Sequence, residues 1–174
     1  MARFGSCSPA ISVLRVILLL SFTGPALFAA DAVVLKIVGP AKTLTFTASE
    51  FAALPHSPLT TGDPYTQVPR HFTGVEVREL LSRAGLPLGD KLSGPALQLA
   101  VIFRSPDGYG VVFALADFDD NFTQRTLLLA DQEDGKPLLE KAAPFQLIVP
   151  GDKKAARWAR MVTSIEIVSL APKP

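Results

Sequence analysis

Residues 96–115, ALQLAVIFRSPDGYGVVFAL, hold two apolar, β-rich runs on either side of Pro106-Asp107-Gly108. Proline presets a turn dihedral and glycine supplies a positive one, so the stretch reads as a β-hairpin. Its tip carries Tyr109 between Gly108 and Gly110, which leaves the ring free of bulky neighbours. Two readings stand open for that ring: a contact to a ligand or partner, or plain turn chemistry with an exposed tyrosine.

Working outward, strand patterns recur at short spacing. VVLKIV (33–38) ends at Gly39-Pro40, and Leu44 and Phe46 then alternate with Thr43, Thr45 and Thr47. Ser49 is placed as the N-cap of a short helix. RTLLLADQEDGKPL (125–138) predicts a strand, a polar turn through Gly135 and an extended end. FQLIVPG (145–151) is apolar on both faces, as a central strand is, and SIEIV (164–168) closes the chain as a final strand. FTGVEVRELLSRAG (72–85) predicts a helix, with Val75, Leu80, Leu81 and Ala84 on one side and Gly85 as its stop. LADFDDNF (115–122) predicts a shorter one. The result is an α+β fold: β-rich mixed sheets with about eight short strands and two or three short helices, too closely spaced for regular βαβ units. Residues 55–70, with prolines at 55, 58, 64 and 69, predict a long irregular loop with a short strand at PLTT.

The chain has 174 residues, 48% hydrophobic and 19% charged, which suits one globular domain. Part of the apolar excess is N-terminal. Arg3 and Arg15, the apolar VILLLSF (16–22) and the small-residue ALFAADA predict a secretory signal over 1–32, cut between Ala29 and Ala32. The apolar run is far short of the ~20 residues of a spanning helix. Residues 33–174 would then be a single periplasmic or secreted domain, off the membrane. Removing 1–30 takes away Arg3 and Arg15 and no acid, which turns a formal net charge of +1 into −1. That balance excludes a global field for nucleic acid, so any anion site is local. The one cysteine, Cys7, lies inside the signal and leaves the rest without a thiol.

The strongest local charge is VPGDKKAARWAR (149–160). If a helix begins at Asp152, Lys153, Arg157 and Arg160 fall on one face, with Lys154, Trp158 and Met161 on the next. Guanidinium forks suit phosphate oxygens, and a solvated helix face is the competing reading. The 55–71 segment adds His56, Asp63, Arg70 and His71, with no recognisable metal-ligand spacing. DFDDN (117–121) lacks the glycine and glutamate of a calcium loop.

Taken in order, three segments resemble the oxidoreductase molybdopterin-binding domain, the sulfite-oxidase-type fold. They are FTGVEVRELLSRAG, VIFRSPDGYGVVFALAD, and LLLADQEDGKPLLEKAAPFQLIVPG followed by ARWARMVTSIEI. The resemblance covers about residues 70–168. It implies that Arg157 and Arg160, with Lys153 and Lys154, hold the phosphate end of a pterin, and that Asp107 and Tyr109 lie near the cofactor. Arg70 and His71, beside the first segment, join this set of cofactor-binding candidates. The family's catalytic members bind molybdenum through a cysteine in the loop before the first helix; residues 55–71 have none. Gln146 stands where an arginine is usual. Small secreted members that lack the cysteine are similar to this chain. The expectation is a non-catalytic ligand-binding or accessory module for an anionic or pterin-like molecule, with no catalytic or metal-ligating residue and no cofactor, molybdopterin being the alternative. Two alternatives are a molybdenum oxidoreductase with atypical ligation, and a sensory subunit docking a periplasmic protein partner through 55–71.

Overall fold

Strand alternation is realised in ten strands and two short helices within a computed structural model that describes residues 1–2 and 32–171. In chain order these are β1 (Val33–Val38), β2 (Thr43–Thr47), α1 (Ala48–Ala52), β3 (Ser57–Gly62), β4 (Pro69–Glu76) and α2 (Val77–Arg83). There follow β5 (Leu99–Arg104), β6 (Gly110–Ala114), β7 (Leu128–Glu133), β8 (Lys136–Pro137), β9 (Gln146–Ile148) and β10 (Ser164–Ser169). The signal expected over 1–32 falls almost wholly outside the described residues. Among those described, no helix is long and apolar enough to cross a membrane.

One sheet runs β2-β1-β10-β5-β6; its β1–β10 pair is parallel and its other pairs are antiparallel. The hairpin read around Pro106-Asp107-Gly108 forms its β5–β6 edge, with Phe103 opposite Val111 and Val101 opposite Phe113. The other sheet is antiparallel, β3-β4-β7, and the far side of β7 is shared by β8 and β9. Leu35, Ile37, Phe72, Phe103, Leu129, Leu147 and Ile165 are essentially sealed from solvent in one core. Each such side chain contributes about 1.5–3 kcal/mol by burial.

Three local expectations are corrected. The strand read at PLTT is present within β3, but the rest of 55–70 is no long irregular loop: β3 pairs with β4 as a hairpin from Ser57↔Gly74 to Gly62↔Pro69. Its prolines obey sheet rules, since β3 is an edge strand and Pro69 opens β4. The helix expected from Phe72 begins only at Val77, because Phe72, Thr73 and Val75 are strand formers and β4 has partners on both sides. Gly74 settles the matter: a Cβ there would lie 2.2 Å from the Leu129 carbonyl oxygen and 2.5 Å from Ala130 Cα. At α1 the cap is Thr47, not Ser49, through a capping box of Glu50 N–H to Thr47 Oγ1 (3.2 Å) and Thr47 N–H to Glu50 Oε2 (2.8 Å).

The acidic DFDDN stretch is structural. A single 3₁₀ turn, Leu115–Phe118, ends at buried Asp119, whose carboxylate accepts from the N–H groups of Gly89 and Asn121. Burial opposes its ionisation, but these two N–H donors and the Arg78 charge outweigh it and hold the carboxyl below its usual range.

Two predictions follow from packing and charge. Gly74→Ala forces backbone against backbone and should cost about 3 kcal/mol, read by urea unfolding. Asp119→Asn should cost about 1–3 kcal/mol at pH 7. Because the folded-state pKa is depressed, that deficit should shrink as pH falls below about 3.9, where the wild type loses the same stabilisation.

Candidate functional site

The segment after β9 decides the shape of the site. Gly151 takes a positive φ of 80° and ends the strand direction. Trp158 is then driven inward, 3% exposed, with its indole N–H donating to the Val149 carbonyl at 2.9 Å and its ring edge-on to Phe72. The backbone beyond runs against β9: Leu147 N–H donates to Ala159 O (2.8 Å) and Val162 N–H to Phe145 O (2.9 Å). The β5–β6 turn holds it from the other side. Ser105 Oγ–H donates to Arg160 O, Tyr109 O–H to Ala156 O, and Thr163 N–H to Arg104 O.

This explains why the helix expected from Asp152 is absent. Carbonyls at 156, 159 and 160 are committed to side chains and to β9, so only a 3₁₀ turn at Ala155–Arg157 forms. Arg157 donates to both carboxylate oxygens of Asp152 (2.8 and 2.5 Å) and stacks over the Phe113 ring at 4.9 Å. The Asp152 hydrogen bond raises the guanidinium pKa further above its ordinary value.

Between the 155–161 segment, the β5–β6 turn, the tip of the β3–β4 hairpin and the chain entering β9 lies a two-lobed groove. The first lobe, about 410 Å³, is lined by Tyr65, Asp107, Tyr109, Lys141, Trp158 and Arg160 among others. The second, about 360 Å³, shares Tyr65, Lys141, Trp158 and Arg160 and adds Asp63, Arg70, Glu133 and Gln146. Either lobe is of the size that takes a small molecule. Arg70 is already engaged, to Glu133 at 2.6 Å and Asp63 at 3.3 Å, and the Glu133 bond is the main cause of its raised pKa. The N–H groups of Thr66 and Tyr65 hold the Asp63 carboxyl below its usual range. Lys141 and Arg160 are different: both side chains are exposed, and among the described residues neither has an acceptor.

Of the residues expected to bind a cofactor, Arg160, Tyr109, Asp107 and Arg70 line the groove. Arg157, Lys153, Lys154 and His71 do not. Arg157 is turned to Asp152, the two lysines are exposed outside the lining, and His71 faces Thr60 with Nδ1 2.9 Å from its Oγ1. His56 also lies apart, with its ring nitrogens at Leu54 O (2.7 Å) and Asp131 (3.2 Å). Tyr65 and Lys141 were missed. A legible signal for Tyr65 is that Gly62-Asp63-Pro64-Tyr65 pairs a turn with an aromatic, as the β5–β6 tip does. Lys141 carries no comparable local signal.

The donor set distinguishes organic ligand from metal. Two free cations and the exposed rings of Tyr65 and Tyr109 suit a flat, phosphorylated heterocycle. The lining offers no thiolate and no imidazole, and no group of three His, Cys, Asp or Glu among the described residues could hold a metal ion. The pterin part of a molybdenum cofactor therefore fits, and soft ligation of its metal by the protein does not.

A family model described as oxidoreductase molybdopterin binding domain matches residues 66–173. The crystal structure of sulfane dehydrogenase SoxCD from Paracoccus pantotrophus is similar at a TM-score of 0.58 and 22% identity. The match covers 79% of this chain and 39% of that one, so the chain spans well under half of that protein. Among curated proteins there is no match.

Trp158 is the one tryptophan. Trp158→Phe should cost about 2–4 kcal/mol, from lost volume and an unpaired buried Val149 carbonyl. Unfolding followed by circular dichroism reads it.

Proposed function

The chain belongs to the oxidoreductase molybdopterin binding domain family, and from that premise we propose that it is an exported, periplasmic ligand-binding module without redox chemistry of its own. The observation that carries this reading is the pair Lys141 and Arg160: unpaired cations beside aromatic walls, in a groove with no thiolate. Such a groove binds an anionic, pterin-like molecule through charge-assisted hydrogen bonds and ring contacts. The leader pattern of residues 1–32 supports export. When bound, a molybdenum cofactor would supply oxygen-transfer chemistry. The residues here would hold only its organic, phosphorylated part.

Lys141 and Arg160 act as electrostatic anchors. Tyr109 is fixed by its hydroxyl on Ala156 O, so its ring is preorganised at the mouth of the groove. Arg157 is a strut, closing the 152–157 turn on Asp152.

The test is a titration on Trp158 fluorescence with pyrophosphate and guanosine monophosphate. Lys141→Ala with Arg160→Ala should abolish measurable binding, at about 1.5–3 kcal/mol per charged hydrogen bond. Arg157→Ala should leave affinity within about twofold while lowering stability. Protein purified from molybdate-fed cells should carry no stoichiometric molybdenum. A full complement of the metal would sink the non-catalytic reading, and wild-type protein indifferent to every anion would sink the ligand-binding one.

A further inference from the structure

Gln146 sits on β9 between buried Phe145 and Leu147 and is itself only 6% exposed. Among the described residues, nothing hydrogen-bonds its carboxamide. The group is not sealed in, because Gln146 lines the second lobe of the groove. A carboxamide offers two donors and an acceptor in one plane. Keeping them unused in the interior is costly, so such groups have partners as a rule. Here the open direction is the groove.

The surroundings specify the partner. Asp63 and Glu133, the carboxylates of this lobe, share the Arg70 guanidinium at 3.3 and 2.6 Å. No free cation remains there apart from Lys141 and Arg160, which the two lobes have in common. An anionic group is therefore held by that pair, while the side of the lobe at Gln146 presents neutral hydrogen bonding. The exposed ring of Tyr65 adds an aromatic wall to the same lobe. A planar edge with one donor beside one acceptor satisfies a glutamine in both directions, as glutamine does with a base edge.

We propose that Gln146 is a specificity-determining residue that reads the lactam-type edge of a planar nitrogen heterocycle whose anionic tail is held by Lys141 and Arg160. This rests on the ligand-binding reading above and assigns the groove a polarity that reading lacks. A ligand with the tail alone leaves the buried amide unpaired and binds more weakly.

Guanosine monophosphate, which has both parts, and ribose 5-phosphate, which has only the tail, separate the two ideas. Wild-type protein should prefer the nucleotide by about 10- to 100-fold. Gln146→Leu, close in volume and apolar, should cut the nucleotide's advantage over ribose 5-phosphate by about 10-fold and leave the latter's affinity unchanged. It should also raise the thermal midpoint of the ligand-free protein, because an unpaired amide is removed. Gln146→Met gives a second, more adaptable core substitution with the same expectation. Equal wild-type affinity for both probes, or an unchanged preference in both variants, overturns the role of Gln146 and leaves the anion groove standing. A lowered midpoint in both variants shows the amide to be structurally engaged and likewise overturns it. If neither probe binds the wild type, the groove reading itself fails and the role of Gln146 fails with it.

Discussion

The indole of Trp158 is the fixed point of this fold. Its N–H has one buried acceptor, Val149 O, on the chain just after β9, and meeting that demand pulls the 155–161 segment onto the second sheet. Once there, the segment has carbonyls to spare on its outer side. Ser105 and Tyr109 of the β5–β6 turn take two of them, which ties the first sheet to the second at this corner. The groove is the space these commitments leave open. Its walls are therefore tied to both sheets even though much of its lining is loop.

Charge within the corner is sorted by what each group can reach. Arg157 has Asp152 within its own turn and Arg70 has Glu133 and Asp63, so both guanidinium groups are neutralised inside the protein. Lys141 and Arg160 reach no carboxylate among the described residues. A chain of almost balanced net charge thus presents a small cationic patch without a cationic surface, the local arrangement that binding of an anion requires. The basic run 153–160 is split by this logic, since one residue serves as a strut, two remain in solvent and one faces the groove.

Much of the architecture is legible because it rests on local pattern. Pro106-Asp107-Gly108 and Asp134-Gly135 carry turn chemistry that few other conformations satisfy: the hairpin forms at the first and the turn at the second where each is read. Gln146, Leu147 and Ile148 of β9 are all buried, as a central strand requires. The departures come where a partner outvotes local preference. VEVRELLSRAG has helical spacing from Val75, yet β4 keeps Val75 and Glu76 because they pair with Leu129 and Leu128 of β7. AARWARM has helical spacing too, but its carbonyls are claimed by neighbours far away in sequence.

The same division holds for the site. By itself the sequence determined most strand and turn positions outside β4, the near-neutral charge, the absence of a cysteine beyond residue 7, and four of the groove residues: Arg160, Tyr109, Asp107 and Arg70. These are properties of residue identity and short-range spacing. Only the tertiary structure decided that Arg157 is spent on Asp152, that Lys141 joins Arg160, and that Gln146 lines the groove with an amide unpaired among the described residues. Whether a charge or an amide is free depends on which acceptors lie within about 3 Å, and that distance is set by packing between segments that sequence separation does not reveal.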